Sequence, residues 1–138
     1  MRSIGLDLGS KTLGIAQSDL MRMIASPVET YRFQEDDYQQ ALDYILKYIK
    51  LNDVDEVVLG IPKHMNGDIG IRGKISEDFK EEILNNTSNV KVILWDERLS
   101  SVQANKNLIK GNVRRDKRKQ IIDKIAAVII LQSYLDSR

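Results

Sequence analysis

The chain has 138 residues, of which 42% are hydrophobic and 30% are charged, and its formal net charge is +1. This length and composition predict one folded domain over residues 1–138 rather than a disordered chain. The absence of cysteine excludes disulfides, thiol nucleophiles and cysteine-ligated metals, and the single histidine, His64, excludes a multi-histidine metal site. The longest apolar run, residues 125–131, is too short to span a membrane, and the first residues lack a signal-peptide apolar segment. We therefore expect a cytoplasmic protein without a membrane partner.

Residues 1–31 predict an antiparallel, three-stranded meander. Residues 3–8 and 13–18 alternate between apolar and small or polar side chains, a pattern typical of strands, and a tight turn joins them. A third strand is expected over residues 23–31, where Pro27 predicts an edge position or a bulge.

The rest of the chain predicts alternating helices and strands. Apolar residues recur with helical spacing over residues 38–49, and residues 56–61 and 90–97 are short apolar strands. Together with the meander, this order predicts an α/β fold on a mixed five-stranded sheet, with parallel strands after the meander and helices flanking the sheet.

The connecting segments also carry local signals. Residues 62–74 contain three glycines and predict a loop, after which Ser76 is expected to cap a helix. Ser100 and Gln103 have capping-box spacing and predict a helix through residue 109, and the final helix is expected over residues 119–135. His64 lies in the predicted loop, where a lone histidine is more typical of an ordinary surface residue than of a substrate contact.

Two carboxylates are predicted to meet at one edge of the sheet. Asp7 lies near the end of the first strand, and Glu97 ends the strand at residues 90–97. Ligands gather at the carboxyl ends of parallel strands in an open α/β sheet, so these side chains would lie close together if both strands run parallel near its centre. Asp7 is also the only charge in residues 3–10, and an isolated buried carboxylate is costly, so a partner is expected.

The third candidate is Asp123, which lies in the final helix among apolar residues. Three carboxylates would form an all-oxygen site, which suits Mg²⁺ or Mn²⁺. Such an ion would activate water and stabilise the leaving oxygen of a phosphodiester. Ordinary structural roles remain the alternative: Asp7 as a turn cap, Asp96 or Glu97 paired with Arg98, and Asp123 paired with Lys119.

A basic segment precedes the final helix. Residues 101–124 contain eight basic and two acidic side chains, a local charge of +6, which leaves −5 on the rest of the chain. Such a patch indicates a surface that meets a polyanion, and a solvated helix end is the alternative. The candidate backbone contacts in this segment are Arg114, Arg115, Lys117, Arg118 and Lys119.

Four blocks of sequence occur in an order that is familiar from one family. They are GLDLGSKTLGIA at residues 5–16, GIP at 60–62, WDERLS at 95–100 and DKIAA at 123–127. The chain closely resembles the YqgF family, also described as the Holliday junction resolvase or pre-16S rRNA nuclease family. The resemblance implies an RNase H-like fold with a metal-binding acidic triad, which would fall on Asp7, Glu97 and Asp123. Ile71 and Ser10 depart from residues common in the family, and both lie in predicted loops.

The resemblance implies an endonuclease that acts on structured nucleic acid, most often at the 5′ end of small-subunit ribosomal RNA. We therefore predict a Mg²⁺- or Mn²⁺-dependent enzyme that acts on a structured RNA precursor, with the pre-ribosome as an expected partner. Asp7 and Asp123 would hold the ions, Glu97 would be a further ligand or a general base, and Lys11 and Arg98 would hold phosphates nearby. One alternative is a four-way DNA junction resolvase, which would need a homodimer rather than a monomer to cut two strands symmetrically. Another is a non-catalytic RNA-binding factor for ribosome assembly.

Overall fold

A computed structural model describes residues 1–62, 70–98, 110–112 and 114–138, and for residues 118–124 it describes the backbone alone. The elements in chain order are β1 (Arg2–Leu8), β2 (Thr12–Ser18), β3 (Ala25–Arg32), α1 (Tyr38–Leu51), β4 (Val54–Ile61), α2 (Ile71–Asn85), β5 (Lys91–Asp96) and α3 (Arg115–Asp136).

The five strands form one mixed sheet in the order β3-β2-β1-β4-β5. The hairpin β1–β2 and the pair β2–β3 are antiparallel, whereas β4 runs parallel to both β1 and β5. The predicted meander followed by parallel strands is therefore confirmed. Because β1, β4 and β5 run in one direction, their carboxyl ends meet at the same edge of the sheet.

Side-chain alternation along β1 separates the two faces of the sheet. Ile4, Leu6 and Leu8 are buried in a core that α1 and α2 complete. On the opposite face, Ala127 and Leu131 of α3 are buried in a second core. Asp7 belongs to this second face by the two-residue period of a strand.

Gly5 allows α3 to cross close above β1. A Cβ atom at this position would lie 2.7 Å from both the Ala127 carbonyl oxygen and the Leu131 Cβ atom. Both separations are shorter than van der Waals contact, so any larger residue would push the helix away from the strand. The glycine therefore sets the height of α3 above the strand that carries Asp7.

Two predicted helix starts are wrong. Helix α2 begins at Ile71, inside the predicted loop, because the extended backbone of Gly70 starts the helix without a side-chain cap. Ser76 is not a cap: it is buried within α2, and its hydroxyl donates to the Arg72 carbonyl oxygen at 3.3 Å. The final helix begins at Arg115 rather than at residue 119, so part of the predicted basic segment is helical. The capping box of the helix predicted over residues 100–109, and His64, lie outside the described residues.

The prediction for Pro27 is confirmed. Strand β3 ends the five-strand order, and its register against β2 shifts at the proline. Ile15 pairs with Glu29, whereas the next residue, Ala16, pairs with Pro27, so Val28 is the extra residue of a bulge.

A polar network ties the last helix to the edge of the sheet opposite the carboxyl ends of β1 and β4. Glu56 of β4 is buried, and its carboxylate accepts hydrogen bonds from the Ser3 hydroxyl at 2.6 Å and the Tyr134 hydroxyl at 3.0 Å. Arg22 and Arg138 lie 3.6 and 3.7 Å from the same carboxylate. None of the helices in the described ranges is long and apolar enough to cross a membrane.

Candidate active site

Asp7 is placed by the hairpin of β1 and β2. It pairs with Gly14 across the antiparallel ladder, and a Cβ atom on Gly14 would lie 3.6 Å from the Asp7 Cβ atom. The strand ends one residue later, so the carboxylate lies at the carboxyl end of β1 and is half-buried. A rigid strand therefore fixes the position of this acidic group.

Glu97 directly follows β5, and its side chain extends over β4. A Cβ atom on Gly60 would lie 2.7 Å from Glu97 Oε1 and 2.5 Å from the Ile130 Cδ1 atom. Because Gly60 has no side chain, the Glu97 side chain can lie over β4 and extend towards β1. Asp7 and Glu97 meet there and share a side-chain hydrogen bond.

This contact changes the acidity of the pair. The pKa of Glu97 is raised to about 8, first because the side chain is buried and then because of the hydrogen bond and negative charge of Asp7. Arg72 opposes the rise, and Asp96 adds to it. Near neutral pH the Glu97 carboxyl group of the metal-free protein is therefore mostly protonated.

The structure brings together two of the three predicted acids, and the third is only partly described. Asp123 lies in α3, but its side chain is outside the described residues. Asp123 lies four positions before Ala127 in the chain. The Ala127 Cβ atom would lie 3.6 Å from a Cβ atom on Gly14, the cross-strand neighbour of Asp7. Among the side chains that the structure describes, no group of three or more potential ligands forms a metal site.

A cavity of about 130 Å³ opens beside Asp7, between α3 and the strands β2 and β3. Helix α3 is interrupted over this cavity, because Ile125 has non-helical backbone angles (φ −117°, ψ 19°). The polar lining includes Thr12 and Thr30, and the helix contributes Ala126 and Ala127. The acidic group thus faces an accessible space rather than a filled core.

Arg72 is a site residue that the sequence analysis missed. Its guanidinium donates hydrogen bonds to the Leu8 carbonyl oxygen at 3.1 Å and to the Tyr38 hydroxyl at 3.3 Å. Its positive charge also lowers the pKa of Glu97, which places its charge near the acid pair. A single arginine after a glycine-containing segment has no periodic pattern, so no sequence signal marked it.

Arg98 forms an ion pair with Asp96, which is one of the ordinary structural roles predicted for these residues from the sequence. The Arg98 Nη2 atom lies 2.7 Å from Asp96 Oδ2, and its Nε atom lies 3.1 Å from Oδ1. The hydrogen bonds and negative charge of Asp96 raise the pKa of Arg98. This ion pair orients the guanidinium at the end of β5, one residue beyond Glu97.

Residues 1–137 match the family model described as "RuvX: Holliday junction resolvase". The chain belongs to the RuvX family. A relative from Staphylococcus carnosus (strain TM300), named "Putative pre-16S rRNA nuclease", is 48% identical over 134 residues, which cover 97% of this chain and 94% of the relative. A relative of the same name from Staphylococcus aureus (strain N315) is 46% identical over the same shares.

Solved structures share the RuvX fold at low sequence identity. RuvC from T. thermophilus, solved in complex with a Holliday junction substrate, has a TM-score of 0.65 and 12% identity, covering 100% of this chain and 95% of that one. The fowlpox virus Holliday junction resolvase has a TM-score of 0.57 and 19% identity over the whole of both chains. The predicted family and the RNase H-like fold are thereby confirmed, as is the prediction of an enzyme of the nuclease class.

The remaining predicted contacts of this RuvX-family chain are partly described. Lys11 is exposed in the β1–β2 turn. Arg114 precedes the first turn of α3 and is exposed, as are Arg115 and Lys117 within it. The side chains of Arg118 and Lys119 lie outside the described residues, so their predicted role is not tested.

Proposed function

We propose that this protein is a divalent-metal-dependent endonuclease that hydrolyses phosphodiester bonds in structured RNA, with the 5′ end of pre-16S rRNA as its substrate during ribosome biogenesis. The observation that carries this proposal is the Asp7–Glu97 carboxyl pair, which meets across Gly60 at the carboxyl ends of the parallel strands. The names of the Staphylococcus relatives, at 46–48% identity, support the choice of RNA.

The residues at this site fit Mg²⁺ or Mn²⁺. Both described acids offer carboxylate oxygens, the ligand type that these hard cations prefer. Burial and the hydrogen bond and negative charge of Asp7 raise the pKa of Glu97, so a divalent cation bound between the two groups would stabilise their ionised forms. Asp7 and Asp123 would hold the ion, with Glu97 as a further ligand. A bound divalent ion supplies Lewis acidity that activates water and stabilises the leaving oxygen.

The carboxyl groups of the site would accept a proton from the attacking water, and the basic residues around it would orient the substrate. Asp7 is positioned by a strand, and the Glu97 side chain occupies the space above Gly60. The raised pKa of Glu97 belongs to the metal-free protein. With a divalent ion bound, Glu97 would be ionised and would serve as a ligand or as a general base that takes a proton from water. Lys11, Arg98 and the basic residues Arg114, Arg115, Lys117, Arg118 and Lys119 would hold the phosphate backbone around this point.

The test is a cleavage assay with Mg²⁺ or Mn²⁺ on three substrates: a pre-16S rRNA fragment, a four-way DNA junction and plain single strands. Asp7→Asn should lower the rate on the RNA precursor by roughly a hundredfold or more. Asp53→Asn is the matched control, because it removes a 76% exposed carboxylate at the other end of the sheet. Wild-type cleavage that survives Asp7→Asn would contradict the proposal.

A Holliday junction resolvase is the second candidate, and the description of the RuvX family favours it. Symmetric cleavage of a junction requires two active sites, so this function predicts a homodimer on the substrate. Cleavage of the junction alone, by a protein that is dimeric in sedimentation measurements, would replace RNA with DNA as the substrate. Binding of the RNA precursor without cleavage would instead favour an RNA-binding assembly factor.

A further inference from the structure

Arg72 is held at the acidic site by two parts of the fold. It is the second residue of α2, and its Nη2 atom donates to the carbonyl oxygen of Leu8, the residue after Asp7. Its Nη1 atom donates to the hydroxyl of Tyr38, the first residue of α1. Arg72 is exposed, and these two hydrogen bonds tie its guanidinium to the carboxyl end of β1.

Tyr38, which accepts a hydrogen bond from Arg72, is held in place by two contacts of its own. Its hydroxyl donates to Asp36 Oδ1 at 3.2 Å, and its ring packs edge-on against Phe33 at a centroid distance of 6.0 Å. A hydroxyl that donates to a carboxylate keeps its lone pairs for an incoming donor, which here is Arg72. The ordering cost of a long arginine side chain is thus met before any ligand arrives.

The two hydrogen bonds of the Arg72 guanidinium do not neutralise its positive charge. Both of its hydrogen-bond partners are uncharged oxygens, and no ion pair joins it to a carboxylate within the residues that the structure describes. A guanidinium has five N–H donors, so two hydrogen bonds leave others for a ligand. The charge also reaches Glu97, since it lowers the pKa of that group.

We propose that Arg72 binds a phosphate oxygen of the nucleic-acid backbone at the Asp7–Glu97 pair, and that Tyr38 positions its guanidinium. A polyanion that approaches two carboxyl groups is repelled, and a fixed cation beside them offsets that repulsion. Guanidinium groups match the geometry of phosphate oxygens with paired donors. This inference rests on the proposed nuclease function for the identity of the ligand, but its test does not require cleavage.

The experiment measures binding in the Asp7→Asn background, where the ligand is not consumed. The probes are a fluorescently labelled RNA hairpin with single-stranded flanks and a labelled four-way DNA junction, each titrated at several salt concentrations by anisotropy. Arg72→Ala should weaken binding roughly tenfold. It should also reduce the slope of log K against log salt by about 0.7–0.9, the value of one lost phosphate contact.

Matched variants separate this role from general charge and from folding. Lys74→Ala removes the same charge from the same helix, at a side chain that is 70% exposed, and should keep the parental slope. Tyr38→Phe keeps the charge but removes one tether, so affinity should fall about threefold with the slope unchanged. If Arg72→Ala unfolds in thermal melts, Arg72→Gln retains a donor amide without the charge and should lose the same slope.

An unchanged slope in both Arg72→Ala and Arg72→Gln, or an equal loss in Lys74→Ala, would overturn the inference. The two proposals fail separately. Arg72-dependent binding by a wild-type protein that cleaves nothing would leave the phosphate contact standing and remove the enzyme function. Normal cleavage together with Arg72-independent binding would remove the phosphate contact alone.

Discussion

The burial of Glu97, together with its hydrogen bond to Asp7, links the stability of the metal-free protein to pH. The pKa of Glu97 is about 8 in the folded chain and 4.5 in its ordinary state. Between these values the folded protein keeps a proton that the unfolded chain has released. The stabilisation is therefore complete below about pH 4.5 and is lost as the pH rises through 8.

We expect the free energy of unfolding of the metal-free protein to fall between pH 5 and pH 8.5, measured by urea denaturation in EDTA. Glu97→Gln should flatten this profile, because the amide does not titrate. Saturating Mg²⁺ should also flatten it, because a cation favours the ionised pair. Asp19 titrates below this range, since backbone hydrogen bonds from Ile24 and Met23 lower its pKa. Equal slopes for the parent and Glu97→Gln would contradict the assignment.

The residues of the site differ in how far sequence alone could place them. Asp7 and Glu97 were predicted to meet because strand ends converge in a parallel sheet, and that rule depends only on strand order. Gly60 belongs to the GIP block that resembles the family. Its role of leaving space for Glu97 could not be predicted, because it depends on how that side chain crosses from the end of β5 over β4. Arg72 was missed because its place depends on a tertiary contact with the Leu8 carbonyl.

Helix α3 has exposed basic residues in its first turn and buried apolar residues in its C-terminal half. Arg115 and Lys117 are exposed in its first turn, whereas Leu131 and Leu135 are buried against the sheet. The break at Ile125 separates these two parts, beside the cavity at Asp7. The helix therefore joins the predicted backbone-binding surface to the acidic site within one element.

The triple variant Arg114→Ala/Arg115→Ala/Lys117→Ala tests that surface. If all three residues contact phosphates, the salt slope of RNA binding should decrease by about 2 to 2.7. The matched control removes three exposed lysines elsewhere, Lys47, Lys50 and Lys91, and should leave the slope close to that of the parent. An unchanged slope in the triple variant would exclude these residues from the binding surface.

Strands were easier to predict than helix starts, and the reason is physical. In β1 and β2, apolar residues alternate with small or polar ones, and this two-residue period can be read from the sequence alone. The start of α2 depends instead on the backbone of Gly70, which caps without a side chain. Ser76 gave a cap-like signal, but inside α2 its hydroxyl bonds to the preceding turn.

At the scale of the molecule, the buried Glu56 carboxylate connects β4 to the first strand and the last helix. It accepts hydrogen bonds from Ser3 and Tyr134, which lie 131 positions apart in the chain. This network is at the opposite edge of the sheet from Asp7. It is therefore expected to stabilise the fold without taking part in the chemistry.

We expect Tyr134→Phe to lower the free energy of unfolding by about 1–3 kcal/mol, because it leaves the buried Glu56 with one hydrogen bond fewer. Cleavage and RNA affinity should be unchanged in the folded variant. Tyr44→Phe is the control, since its hydroxyl bonds to an exposed carboxylate, Glu29, and it should cost less than about 0.5 kcal/mol. Chemical denaturation of both variants measures the difference, and equal losses would refute the role of the network.

The bulge at Pro27 also bears on how the protein behaves when it is crowded. An edge strand exposes a row of N–H and C=O groups to which a strand from another molecule can add, which is a common route to aggregation. In β3 this row is interrupted, because proline has no N–H group and the register shifts at that point. One residue thus hinders intermolecular sheet growth along this edge, independently of surface charge and therefore equally at low and high salt.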